Sequence, residues 1–152
     1  MAAVAELVLV RHGVTAWNKD RRFQGHIDIP LDDEGRAQAA QAGARLAGER
    51  IDALYSSDLG RAWQTAQAIG LATGLPPLAR PALRERCYGA FEGCTHDEIR
   101  RDQPDAFARW QAREPDFPLP GGGESLQGFH DRVLAALREL AARHAGGRVV
   151  AV

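Results

Sequence analysis

The sequence is short of several things, and each shortage narrows what the chain can be. It has two cysteines, Cys87 and Cys94, in 152 residues. A chain of this size does not need covalent staples, and the spacing is not that of a zinc knuckle, so free structural thiols are expected. It has almost no net charge, a formal value of -1, which gives no general attraction to nucleic acid or to an anionic lipid surface, so any anion site must be a local cluster of arginines. No apolar run approaches membrane-spanning length, and the segment Met1 to Val10 lacks the basic region and cleavage site of a secretory leader. A cytoplasmic protein is the expectation, with no nucleic-acid and no membrane partner. There is no internal repeat, no low-complexity tract and no Asp/His cluster with ligand spacing, and no metal or other cofactor is expected.

What remains is ordinary globular composition, 45% apolar and 26% charged, in a length that suits a single domain over residues 1–152. The chain is organised around Leu7-Val8-Leu9-Val10-Arg11-His12-Gly13. Consecutive apolar residues suit a parallel strand covered on both faces, and ligands of open α/β sheets sit in the crevice beyond the carboxyl ends of strands. Arg11 offers a planar fork of donors to a phosphate or carboxylate, and a neutral His12 imidazole can act as nucleophile, base or ligand. Alone, such a tripeptide is more often a charged strand end followed by a turn.

The stretch from Val14 to Pro30 has no sustained period and reads as a loop with one helical turn, positioned to fold back over Arg11 and His12. Asp32 or Asp33 caps a helix reaching about Gly48, with Glu34 in its first turn and Arg45 near its end. Its alanines at 37, 40, 44 and 47, with Leu46, are expected to form a thin face against a sheet. Ile51 to Ser56 is a second strand, and Leu59 to about Ala72 a second helix closed by Gly74 and two prolines. Arg61 falls in that helix's first turn, beside backbone N–H groups that favour an anion. Leu78 to Leu83, interrupted by Pro81, reads as a weaker third strand, an edge or an irregular segment. Thr95 opens a short helix and Pro104 to Arg113 makes another. Ser125 caps a last helix whose Leu126, Phe129, Val133, Leu137, Leu140 and Ala141 recur at core spacing. His130 and His144 there are read as surface or packing residues. Arg148 to Val152 is a fourth, buried strand. Strands alternating with helices predict an α/β three-layer sandwich, a mostly parallel sheet with helices on both faces.

Three strand ends then supply Arg11 with His12, Ser57 with Arg61, and Glu85 to one edge of the sheet. Such a grouping suits phosphoryl transfer. The motifs, in order, are Arg11-His12-Gly13 with Trp17-Asn18, Phe23-Gln24-Gly25 before Asp28 and Pro30-Leu31, Ser56-Ser57-Asp58-Leu59-Gly60-Arg61-Ala62 with Gln64-Thr65-Ala66, Leu83-Arg84-Glu85, Tyr88-Gly89 with Phe91-Glu92-Gly93, and Gly122-Gly123-Glu124-Ser125-Leu126. In this order and spacing they resemble the histidine phosphatase superfamily, the phosphoglycerate-mutase-like proteins, over nearly the whole chain. The resemblance implies that His12 is phosphorylated in a covalent mechanism, that Arg11 and Arg61 clamp the phosphoryl oxygens, and that Glu85 serves as proton donor and then acceptor. Thr15, Asn18, Gln24 and Gly25 are expected to line the same pocket.

Two departures from the family pattern stand out. Val14 takes a place where the family often has glutamate or glutamine. The second histidine of the pattern belongs in a His-Gly pair just after the strand at Arg148 to Val152, and the sequence reaches Val152 before it. The expectation is a chain incomplete at its C-terminal side. The expected activity is hydrolysis of a small phosphorylated metabolite. Arg21, Arg22, Trp17, Tyr88 and Trp110 are candidates for shaping specificity. A phosphoglycerate mutase and a noncatalytic phosphate-binding or regulatory domain are the alternatives. The oligomeric state is left open, with a homodimer among the options.

Overall fold

The computed structural model describes residues 3–152. Four strands form a wholly parallel sheet in the order β1-β4-β2-β3: β1 is Glu6–Leu9, β2 Ala53–Ser56, β3 Leu78–Ala79 and β4 Arg148–Ala151. Helices α2 (Asp33–Leu46) and α3 (Gly60–Thr73) cover one face, and α6 (Leu126–Arg143) covers the other. The two-residue period of the strands divides the core between the faces. Leu54 and Val150 meet Leu46 and Ile69 on one side, while Ala53, Tyr55 and Val149 meet Leu140 on the other. The α/β sandwich predicted from the alternation of patterns is therefore present.

The strand order corrects one expectation. β1 was expected to be buried on both faces, but it lies at an edge of the described sheet, with Glu6 exposed and Leu9 64% exposed. The chain returns through β4 between β1 and β2, so the buried interior strand is β4, whose Val149 and Val150 have no exposure. β3 is an edge as expected, but it is only two residues long. Pro81, which has no N–H for a ladder, opens a 3-10 turn over Pro81–Leu83 instead.

Helix ends follow local chemistry. The Asp32 carboxylate caps α2 by accepting from the Gly35 N–H at 2.8 Å, and Gly74, at φ 76°, closes α3. The buried stripe of α2 is not the expected one, however. Ala37, Ala40, Ala44 and Ala47 are exposed, and Gly35, Ala39, Gly43 and Leu46 face inward. Both stripes have helical spacing, and the choice falls to the one that lets α3 approach: a Cβ on Gly43 would stand 2.8 Å from the Ala68 carbonyl oxygen. The apolar stripe of α6 is also less buried than expected. Only Ala136 and Leu140 are buried, while Leu126, Phe129, Val133 and Leu137 are half-buried.

Between β3 and α6 the chain makes a separate cluster. α4 (His96–Asp102) and α5 (Pro104–Gln111) pack Ile99 and Phe107 against Phe91 and Leu119, with Phe23, Tyr88 and Trp110 at the margin. Thr95 and Glu98 form a reciprocal cap for α4. Both cysteines are free, and among the described residues no helix is long and apolar enough to cross a membrane.

Candidate active site

Because the strands are all parallel, their carboxyl ends share one rim, and the register aligns Leu9 and Tyr55 on either side of Ala151. The residues that follow each strand therefore meet. Arg11 and His12 after β1, Ser57 after β2 and Val152 after β4 line a cavity of about 200 Å³, together with Arg61 from the first turn of α3 and Glu85 from the segment beyond β3. Arg84, held by the Asp58 carboxylate, forms part of the same wall. So do Phe129 and Val133 of α6, which sequence spacing assigns to core. A stripe that lines a site and a stripe that fills a core look alike in sequence.

His12 is held in one tautomer. Its Nδ1 lies 2.6 Å from the Gly13 carbonyl oxygen, which can only accept, so Nδ1 carries the proton and the lone pair is left on Nε2. Burial pushes the imidazole pKa down, and the charges of Arg61 and Arg11 push it further; the Gly13 bond and Glu85 act the other way. The net direction favours a neutral ring. Gly13 in turn fits only as glycine: a Cβ there would lie 2.3 Å from the Gly35 carbonyl oxygen. Its N–H donates to the Thr65 hydroxyl, which donates to the Arg61 carbonyl, tying the loop after β1 to α3.

Arg61 is 2% exposed and makes no ion pair among the described residues. Its guanidinium donates to the carbonyls of Gly25, at 2.6 Å, and Ile27, at 3.1 Å. Burial lowers its pKa, opposed by Glu85, Asp28 and Glu92, and a guanidinium stays charged through such a shift. A buried cation anchored only by carbonyls still attracts an anion. The expected free N–H groups at the start of α3 are partly taken, since the Asp28 carboxylate accepts from the Gly60 N–H at 2.6 Å. Arg11 is exposed and makes no ion pair among the described residues. Glu85 is exposed as well, and its Oε1 accepts from the Arg86 N–H at 2.7 Å.

The other expected pocket residues do not line this cavity. Thr15 is fully buried and caps α1 (Ala16–Lys19), and its hydroxyl donates to Gln24 Oε1 at 2.8 Å. The Asn18 side chain accepts from the Thr15 N–H at 2.9 Å. Gly25 contributes its carbonyl to Arg61. These four residues shape the loop that holds Arg61, and Asn18 lines a separate, larger cleft with Trp17, Arg21, Arg22 and His96. Tyr88 and Trp110 line another, with Arg86 and Phe129. His144 hydrogen-bonds the Tyr55 hydroxyl and His130 is exposed beside Asp131, so neither reaches the site.

The small cavity at the carboxyl rim of the parallel sheet is thus walled by an imidazole, three arginines and a carboxylate, a grouping whose chemistry suits an anion. The sequence profile of the histidine phosphatase superfamily (branch 1) matches residues 7–152, and the chain belongs to that superfamily. It is 43% identical over 150 residues to phosphoglycerate mutase-like protein 4 of Arabidopsis thaliana, covering 97% of this chain and 65% of that protein. It is 40% identical over 151 residues to the metal-independent phosphoserine phosphatase of the same plant, covering 98% and 63%. The native structure of a mycobacterial glucosyl-3-phosphoglycerate phosphatase superposes with a TM-score of 0.85 at 37% identity, covering all of this chain and 74% of that one. The chain thus spans somewhat less than two thirds of the two plant relatives.

Proposed function

We propose that this protein is a phosphomonoesterase for a small phosphorylated metabolite, with the phosphoryl group passing through His12. One observation carries the reading. The His12 ring has its Nδ1 proton committed to Gly13 and faces a cavity that Arg11, Arg61 and Glu85 also line. At about 200 Å³ that cavity is smaller than the roughly 300–1,000 Å³ of pockets for drug-sized ligands, which suits a small substrate. Relatives named as phosphatases of phosphoserine and of glucosyl-3-phosphoglycerate support hydrolysis.

In the first step Nε2 of His12 attacks phosphorus, the bond to the ester oxygen breaks, and Glu85 gives its proton to that oxygen. In the second, Glu85 as carboxylate takes a proton from water, the water oxygen attacks phosphorus, and the bond to Nε2 breaks to release phosphate. Arg11 and Arg61 balance the charge on the nonbridging oxygens throughout, so positioning and electrostatics carry most of the rate. Residues 1–152 act in this reading as one domain.

The test is steady turnover of p-nitrophenyl phosphate by this chain and by His12→Ala, with trapping of the phosphoenzyme. The expected result is a base-stable, acid-labile phosphoryl adduct on the wild type and a loss on the order of 10⁴-fold or more in the variant. Hydrolysis that survives His12→Ala overturns the reading. So does phosphoglycerate interconversion that outruns hydrolysis, which would make the protein a mutase, or phosphate binding without turnover.

A further inference from the structure

Glu85 sits in a segment with no regular structure, between the 3-10 turn ending at Leu83 and the next one at Gly89–Phe91. Its backbone has no ladder to hold it. Side chains supply what the backbone lacks: His26 Nε2 lies 2.9 Å from the Glu85 carbonyl oxygen, and one residue of α6 holds more of the segment. Arg132 of α6 donates through Nη1 to the carbonyls of Ala82, at 2.8 Å, and Arg84, at 3.0 Å. Through Nη2 it donates to the Glu85 carbonyl at 3.1 Å and to Glu124 Oε2 at 2.9 Å. Its Nε donates to Glu124 Oε1 at 2.7 Å. That accounts for all five N–H groups a guanidinium has.

Glu124, from the Gly122-Gly123-Glu124-Ser125-Leu126 motif, holds the other side. Its Oε2 accepts from the Cys87 N–H at 2.7 Å, and its carbonyl accepts from the buried Arg86 guanidinium. The Arg132 guanidinium keeps the Glu124 carboxyl below its usual range, so the pair stays charged at neutral pH. The chain is therefore gripped at residues 82, 84 and 85 by Arg132 and at 86 and 87 by Glu124, with the Glu85 carboxyl at the centre of the span.

We propose that Arg132, locked on Glu124, is a positioning residue that sets the Glu85 carboxyl at the distance from which it protonates the leaving oxygen. Arg132 does not itself line the cavity. Its neighbours on α6, Phe129 and Val133, do, so one helix supplies both the wall and the anchor. The proposal rests on the hydrolytic reading above, and the test separates the two.

Two esters differ in their need for an acid: phenyl phosphate, whose leaving oxygen must be protonated, and 2,4-dinitrophenyl phosphate, whose phenolate departs unaided. Arg132→Met is expected to lower kcat/KM on phenyl phosphate by about 100-fold, the scale of an ångström-sized misplacement. On the dinitrophenyl ester it loses about tenfold less. The ratio of the two rates does not depend on how much of the variant is folded, so simple destabilisation leaves it unchanged. Arg132→Lys, with three donors, recovers part of the ratio, and adding Arg132→Met to Glu85→Gln costs on phenyl phosphate no more than the roughly tenfold that Arg132→Met alone costs on the dinitrophenyl ester. Equal losses on both esters, or the full phenyl phosphate loss repeated in the double variant, overturn the proposal. His12→Ala abolishes both reactions if the hydrolytic reading holds, and activity that survives it overturns that reading whatever Arg132 does. A signal without substrate is the amide resonance of Arg86, which donates to the Glu85 carboxylate. Its downfield shift at neutral pH is expected to be lost in both Glu85→Gln and Arg132→Met, and a shift that persists in Arg132→Met overturns the positioning role.

Discussion

The Arg61 guanidinium donates to the Gly25 carbonyl oxygen at 2.6 Å, so a single buried cation both lines the cavity and holds the loop between β1 and α2. Arg61 also takes the Ile27 carbonyl, and beyond it the loop is tied to α3 by the Asp28 carboxylate on the Gly60 N–H and, at its end, by the Leu31 N–H on Gln64 Oε1. Chemistry and loop order are joined at one side chain.

From this double duty, Arg61→Lys is expected to lose activity and stability together. An ammonium cannot reach two carbonyls and a phosphoryl group in one plane. By analogy with oxyanion-hole donors the activity cost is about 2.7–4 kcal/mol in the barrier. Losing the buried bonds to Gly25 and Ile27 adds about 1–3 kcal/mol of instability. Aryl phosphate turnover and urea unfolding measure the two parts, and a variant that unfolds like the wild type would show that the loop is held elsewhere.

The pH dependence follows from His12. Its imidazole is driven below the ordinary value near 6.5 by burial first and by Arg61 and Arg11 next. The acidic limb of kcat/KM is therefore expected below pH 6.5, and Arg11→Met, which removes one repelling charge, moves it upward. The same shift acts on stability. The unfolded chain takes up this proton before the native protein does, so the contribution of His12 is intact above about pH 6.5 and is lost as pH falls toward the native pKa. A pH–rate profile and an NMR titration of the ring both read it, and a ring that titrates above 6.5 contradicts the account.

Gly13 offers a steric test. With only 2.3 Å between its hypothetical Cβ and the Gly35 carbonyl oxygen, Gly13→Ala must push the His12 loop away from α2. Overpacking of this kind costs roughly 1–3 kcal/mol, and the displaced His12 lowers activity beyond the loss in folded protein. Denaturant midpoints alongside specific activity check both. A variant with unchanged stability and activity would mean that the two backbones separate without cost.

Local chemistry made much of this legible in advance. A run of branched apolar residues ending in Arg11-His12, a cap at Asp32, a closing glycine at Gly74 and a cap at Ser125 are short-range signals, read from a few neighbouring residues. They suffice to number the elements, to infer a parallel sheet and to bring Arg11, His12, Arg61 and Glu85 to one rim.

Where the sequence offers two equivalent stripes, as on α2, or one stripe with two uses, as on α6, periodicity cannot choose; the approach of a neighbouring helix and the opening of a cavity do. Strand order is likewise nonlocal, and it makes β4 the interior strand and leaves β1 at the edge. Thr15 and Gln24 look like pocket residues in sequence, but neither lines the cavity, and the Thr15 hydroxyl is shared between Gln24 and Asn18. Arg132 gives no sequence signal at all, because its five partners lie at positions 82, 84, 85 and 124, and only the folded chain brings those acceptors within reach of one guanidinium. The sequence by itself determined which chemical groups stand at the ends of the strands, since that depends on a few adjacent residues. The tertiary structure alone decided which strand is interior, which stripes are buried and what holds Glu85, since each depends on distances between segments far apart in the chain.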